Sequence, residues 1–253
     1  MDWVTMTVLS AAGLVGGIVN AVAGGATLIT FPAMLHAGLA PVIANASNAV
    51  AIMPGHLVAA LADRGRLPGL DRHMVALVVA SVGGGALGAA VLLVLPERLF
   101  TLPIPALIAL ATLLFAFAPT IQARAAARRQ PGVPPRARGT GTVALASVYG
   151  GFFGAGLGII LTAVLSITEA GDIRSIKAMK NLLASAVSLV ATAIFIVQGA
   201  VHWPETLVML AGAILGGYAG GHLIRILPGD WVRRIVILAG AIMSVIYGIE
   251  YWM

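Results

Sequence analysis

The chain has no cysteine, which removes disulfides, thiolate metal ligands and cysteine redox chemistry from consideration. It is nearly as poor in charge. Asp, Glu, Lys and Arg make up 9% of 253 residues, and residues 3–62 contain none of them. A soluble domain has too little solvated surface to tolerate such a run, whereas about twenty apolar residues in a helix cross the ~30 Å hydrocarbon core of a bilayer. Residues 3–62 therefore hold two crossings and an irregular piece between them. Further uncharged stretches cover residues 74–96, 99–123, 139–168, 181–204, 206–224 and 235–249. With 60% hydrophobic residues and a mean hydropathy of +1.01, the composition predicts an all-α polytopic membrane protein with about eight transmembrane helices. Too few residues remain for a catalytic or ligand-binding domain outside the membrane.

Carboxylates inside the spans are the next absence. All nine (Asp2, Asp63, Asp71, Glu97, Glu169, Asp172, Glu205, Asp230, Glu250) stand at or near segment ends. A mid-membrane acid relay or a carboxylate cation site therefore has no candidate. No intramembrane protease motif and no convergent acid–base or metal set is present, so neither an enzyme nor a cofactor is expected. His56 and His222 fall inside spans and are the candidates for proton coupling, although packed or interfacial histidines look the same in sequence. They do not form the paired-histidine pattern of a membrane haem protein.

The net charge of +6 and pI near 10.5 point to no nucleic acid. Five arginines (Arg124, Arg128, Arg129, Arg136, Arg138) gather without an acid in one Pro-containing connector, residues 122–140. Such a connector marks the cytoplasmic side of a multi-pass protein of the plasma or inner membrane, and it also suits anionic lipid. Residues 4–22 and the following Ala21-Val22-Ala23 imitate a signal peptide, but no basic residue precedes them. The segment is expected to stay as a span.

Sliding the chain by 133 positions lays Gly17, Gly25, Gly38 and Asn48 on Gly150, Gly158, Gly171 and Asn181, and Gly83, Gly84 and Gly88 on Gly216, Gly217 and Gly221. The chain thus reads as two tandem membrane repeats, residues 1–121 and 141–253, joined by the basic connector. Each begins with a long apolar segment broken by glycines. Small residues four apart (Gly13, Gly17, Ala21, Gly25; Gly150, Gly154, Gly158; Gly84, Gly88; Gly212, Gly216, Gly220) put close-packing faces on helices. If each broken segment crosses once, the repeats are parallel and the second-half cations Arg174, Lys177, Lys180, Arg225, Arg233 and Arg234 fall opposite the others or near that face. If the break changes the parity, the repeats are inverted. The sequence leaves both open.

The breaks are the first candidate for chemistry. Asn20, Gly24, Gly25 and Thr27 precede Phe31-Pro32, and Gly154, Gly156 and Gly158 form the counterpart. Glycine favours departures from helix and proline removes a donor. Irregular backbone at membrane depth survives only inside protein or beside a wet cavity. Paired broken helices in two repeats point to a transport site, where half-helix N-termini offer N–H groups and partial positive charge to an anion. The second candidate is the polar helix after each break. Arg174, Lys177, Asn181, Ser185, Ser188 and Thr192 form a stripe, matched by Asn45, Ser47 and Asn48 in the first half. A lysine at the bilayer centre costs roughly 2.5–3.5 kcal/mol, so Lys177 and Lys180 either snorkel to the interface or balance an anion.

These residues resemble the TauE/SafE family of sulfite and organosulfonate permeases. The likeness lies in Gly16-Gly17 through Gly24-Gly25, Pro32, Gly38, Ala44 and residues 45–48. It continues in Gly150-Gly151, Gly156, Gly158, Lys177, Asn181, the run from Gly199 to His202-Trp203, and the glycines at 216–221. The resemblance implies a secondary transporter of a small, sulfur-containing anion, often an exporter. On this reading the two breaks supply N–H donors, while Asn45, Asn48 and Asn181 bind substrate oxygens. Lys177 and Lys180 balance charge, and the two repeats alternate access. The competing reading is a non-transporting scaffold or assembly subunit that needs only the packing glycines. The expected partners are a small anion and the lipid bilayer; proton coupling and a homo-oligomer stay open.

Overall fold

A computed structural model of the chain describes residues 1–22, 25–69, 71–127, 137–169, 172–223 and 229–253. Gly24, residues 128–136 of the basic connector, Gly171 and Arg225 lie outside the described residues. The first half contains α1 (Trp3–Val22), α2 (Thr27–His36), α3 (Pro41–Asp63) with a 3₁₀ turn at Arg64–Arg66, α4 (Arg72–Val94), α5 (Glu97–Thr101), α6 (Ile104–Ala116) and α7 (Ala118–Ala127). The second contains α8 (Ala137–Phe152), α9 (Leu157–Thr168), α10 (Ile173–Val197), α11 (Trp203–Leu223) and α12 (Gly229–Trp252). Six helical stretches among the described residues are long and apolar enough to cross a membrane: Trp3–Ala21, Pro41–Arg66, Arg72–Val94, Glu97–Ala116, Ile173–Val197 and Asp230–Trp252.

Local chemistry sets several of the helix starts. Asp2, Asp71 and Asp172 each accept the backbone N–H three residues on, at 3.0, 2.8 and 2.8 Å, and so cap α1, α4 and α10. Hydrogen bonds from Thr5 hold the Asp2 carboxyl below the usual carboxylate range. Pro41 opens α3, where its missing N–H costs nothing. Pro32 does not end α2 but lies buried inside it.

The apolar first segments fold back on themselves. Between α1 and α2, and again between α8 and α9, four residues (23–26 and 153–156) separate the helices. A Cβ on Gly16 would strike the side chain of Thr30, and one on Gly139 would stand 3.0 Å from Thr168. Each pair is therefore a helical hairpin with its glycine break at the tip.

The closest helix contacts join one half to the other. A Cβ on Gly13 or Gly17 would enter the backbone of α11 at Met209 or Ala213, and one on Gly212 or Gly216 the backbone of α1 at Ser10 or Leu14. Along the matching seam, Gly84 and Gly88 of α4 lie on the backbone of α8 at Ala144 and Val148, and Gly151 lies on Gly85. The glycine stripes thus let backbones approach without side chains between them. Under the 133-residue shift these two seams exchange, since α1 matches α8 and α4 matches α11.

Residue numbers rise together along both seams, so α1 is parallel to α11 and α4 to α8. By contrast, α3 and α10 are antiparallel: Asn181 reaches Ala59 and Asp63 near the end of α3, while His202, just beyond α10, docks on Ser47 near its start. His73 at the start of α4 pairs with Glu169, just before α10, at 2.9 Å, which sets α4 parallel to α10. The two halves consequently run in opposite directions, the inverted arrangement of the two left open. The same geometry resolves the conflict of charge. Arg64, Arg66, Arg72, Arg174 and Lys177 share one end of the molecule, where α8 also starts. The start of α12, with Arg233 and Arg234, joins them, because the indole of Trp252 at its other end donates to Leu102 O at 2.8 Å. Near that other end stand Arg98 and the exposed Trp3, Trp203 and Trp252, a girdle of the kind found at a membrane–water interface.

Candidate functional site

The two hairpin tips meet. Phe31 of α2 packs edge-on against Phe153 in the second break, ring centroids 5.4 Å apart. Both breaks lie against consecutive residues of α6. A Cβ on Gly25 would strike the Phe115 ring, and one on Gly156 would stand 3.3 Å from Leu114. The turns require glycine: φ is +106° at Gly25 and +80° at both Gly154 and Gly156, values that L side chains rarely adopt. Tyr149 pins the second tip by donating its hydroxyl to Ala155 O at 2.6 Å.

Here the structure corrects the pairing of glycines by sequence. Both hairpin tips are four residues long, but α9 has 12 residues against 10 in α2. The 133-residue shift that aligns Asn48 with Asn181 therefore misaligns the breaks. Gly158 is not in the turn but in the first turn of α9. Around it, the Leu157 N–H donates to Gly154 O at 3.1 Å and the Ile159 N–H to Gly156 O at 2.9 Å. The Gly158 N–H between them has no acceptor among the described residues. Across Gly158 lies the half-buried side chain of Lys180, whose Cδ is 3.5 Å and Nζ 4.0 Å from where a Cβ on that glycine would stand. The charges of Lys177 and Asp63 act on Lys180, and Lys180 in turn acts on His56.

The remaining predicted residues fall into three groups. Asn181 turns to α3, donating its amide to Asp63 Oδ2 at 2.7 Å and to Ala59 O at 3.5 Å. Asn20 lies over Gly55, its Nδ2 2.7 Å from a notional Cβ there, so it reaches the same stretch of α3. Asn45, Ser47 and Asn48 are buried in the other half of that helix. Asn45 donates to Phe152 O, the last carbonyl of α8, at 3.0 Å, which ties α3 to the second hairpin. Ser47 accepts the His202 N–H at 2.9 Å. Asn45 Oδ1 and Asn48 Oδ1 are buried with no hydrogen-bond partner among the described residues, as is Thr192 Oγ1 of the α10 stripe. Thr27 and Ser185 are buried, whereas Lys177 and Arg174 are exposed near the start of α10. Lys180 is thus brought beside the start of α9, Asn181 is turned to α3, and Lys177 is left exposed.

Sequence reasoning missed Asp63. It stands at the end of α3, as the sequence has it, yet is only 9% exposed, so this segment end is covered by protein. Glu169 and Glu205 are buried too, paired with His73 and His202. The available signal was spacing: His56 and Asp63 are seven residues apart and share a helix face. The positions of Leu114 and Phe115 had no such signal, because an apolar stretch does not reveal its neighbours.

Against known proteins, the profile of a family described as sulfite exporter TauE/SafE matches residues 9–247. A probable membrane transporter protein of Haemophilus influenzae is 27% identical over 239 residues, covering 94% of this chain and 92% of its own length. The probable membrane transporter protein YfcA of Escherichia coli (strain K12) is 27% identical over 233 residues, covering 91% and 85%. Probable membrane transporter protein ORF9 of a Sinorhizobium species is 25% identical over 240 residues, covering 94% and 90%. No solved structure matches the chain.

Proposed function

The chain belongs to the sulfite exporter TauE/SafE family, and from that membership and the joined hairpin tips we propose that it exports a small sulfur-containing anion, such as sulfite or an organosulfonate. Its class follows from the family: it is an integral multi-pass membrane permease and not an enzyme. One observation carries the finer reading. The Gly158 N–H at the start of α9, without an acceptor among the described residues, and the Lys180 side chain that lies across that glycine stand together beside the backbone break. A helix N-terminus with a cation over it suits a compact anion. An ammonium at membrane depth is otherwise costly.

Around this pair, Asn181 and Asn20 are the amides nearest to hand, and Gly25, Gly156 and the first turn of α2 form the rest of the lining. Asn45, Ser47 and Asn48 act from the opposite half of α3, and the inverted halves alternate in exposing the tips to each side. The end rich in arginine is the cytoplasmic one, in the plasma membrane, with the central connector on that side.

The experiment is sulfite or sulfonate flux in vesicles holding the full chain, compared with Lys180→Met and Asn181→Ala. Loss of flux in both, with folding kept, supports the reading. Undiminished flux in both would remove this site, and absence of flux in the unaltered protein would favour a scaffold.

A further inference from the structure

One donor assigned to the anion, the Asn181 amide, is already engaged by a carboxylate. Asn181 has two amide hydrogens and two acceptors, Asp63 Oδ2 at 2.7 Å and Ala59 O at 3.5 Å. The other oxygen of Asp63 accepts from Arg66 at 3.1 Å. Arg66 is 56% exposed while the Asp63 side chain is 12% exposed, so the cation that balances Asp63 from outside is largely solvated and the carboxylate is not. On the inner side Asp63 acts electrostatically on Lys180. An anion that takes up Lys180 and Asn181 must displace Asp63 or share the site with a second negative charge. Two like charges in one buried site favour protonation of the weaker acid.

We propose that Asp63 is the proton-carrying group of the transport cycle. Ionised, it holds the Asn181 amide and stands in for the absent anion; on taking a proton from water at the arginine-rich end, it becomes a neutral carboxylic acid and releases that amide to the incoming anion. One proton is bound for each anion bound and both leave together, so net export proceeds when the outward anion gradient exceeds the inward proton gradient. The inference rests on the anion site proposed above. Of the charged groups around Asp63, Arg66 of the 3₁₀ turn pairs with it and Lys180 of α10 acts with it from the inner side; Lys177 and His56 act in turn on Lys180. Those of α2, α5 and the start of α11 (His36, Glu97, Arg98 and Glu205) belong to the opposite end of α3. His222 lies exposed near the end of α11, and α1 has none.

The full chain in liposomes containing a trapped pH dye, with methanesulfonate as probe, separates the two ideas. Methanesulfonate stays ionised at every pH used, so any proton that accompanies it is carried by the protein. With a gradient of one pH unit, acid outside, coupled uptake accumulates the probe about tenfold, because one pH unit is about tenfold in proton activity, and the dye reports acidification. For Asp63→Asn the accumulation ratio falls to about one, and Asp63→Glu restores it. If the unaltered protein moves methanesulfonate without acidification, or if Asp63→Asn keeps the tenfold ratio, the inference is overturned while the permease reading stands. If the unaltered protein moves neither methanesulfonate nor sulfite, the anion site falls and the coupling with it. The dye measurement needs no variant, so a poorly folding substitution does not decide the outcome.

Discussion

Lys180 lies lengthwise over Gly158, with its Cδ 3.5 Å from the point where a Cβ on that glycine would stand. That distance is ordinary van der Waals contact. Gly158→Ala is therefore expected to keep the lysine in place, whereas Gly158→Leu drives it off the start of α9. Losing one charge-assisted hydrogen bond to a bound anion costs about 1.5–3 kcal/mol, so Gly158→Leu and Lys180→Met should both weaken half-saturation by sulfite roughly tenfold or more. Vesicle flux against sulfite concentration measures this. Equal affinity in Gly158→Ala and Gly158→Leu would count against the arrangement.

The seam between α4 and α8 offers an internal control one residue wide. A Cβ on Gly84 would stand 2.8 Å from Ser147 Cβ and closer still to Ala144 O, while one on Gly83 meets nothing within 4 Å. Gly84→Ala is expected to destabilise by about 1–3 kcal/mol through overpacking. Gly83→Ala gains helix propensity, up to about 1 kcal/mol. Thermal unfolding of the two purified proteins in one detergent compares them directly, and similar midpoints would refute the seam.

Tyr149→Phe leaves the Ala155 carbonyl in the second tip without its 2.6 Å donor. An unsatisfied buried acceptor costs about 1–3 kcal/mol. Because Ala155 lies between two glycines with positive φ, the loss should loosen the tip itself. The expected result is a lower unfolding temperature together with faster modification of a cysteine placed at Ala155; a change in neither would show that the hydroxyl is not holding the turn.

The absence of native cysteine makes the inverted arrangement easy to test. Arg66→Cys and Arg174→Cys should react with a membrane-impermeant maleimide from the same side. Arg98→Cys should react from the other. A parallel duplication predicts that residues 66 and 174 label from opposite sides, so a single labelling series decides.

The membrane class, the breaks and the packing glycines were legible in the sequence, because each depends on composition or spacing along one helix. What escaped depends on contacts between distant segments. The direction of the second half was hidden because a glycine break reads alike whether a chain continues or turns back, and the residues that reveal the turn, Gly139 beside Thr168, are 29 positions apart. Gly158 was paired with Gly25 because the asparagines downstream align; the two additional residues of α9 had no mark in the pattern. Asp63 looked like the solvated end of a helix until α10 covered it. Asn45 looked like a free amide until the last carbonyl of α8 proved to be its acceptor.

The long seams, α1 on α11 and α4 on α8, both run between halves, as do the contacts of α3 with α10 and of α6 with α12. One cluster of buried apolar side chains draws on both halves, and the other belongs mainly to the second. During synthesis the first hundred or so residues must wait in the lipid with bare glycine ridges uncovered until their upside-down counterpart emerges. The polypeptide is in effect a dimer whose subunits happen to be tethered, and two separately made pieces, divided in the basic connector, would carry every adhesion needed to find each other.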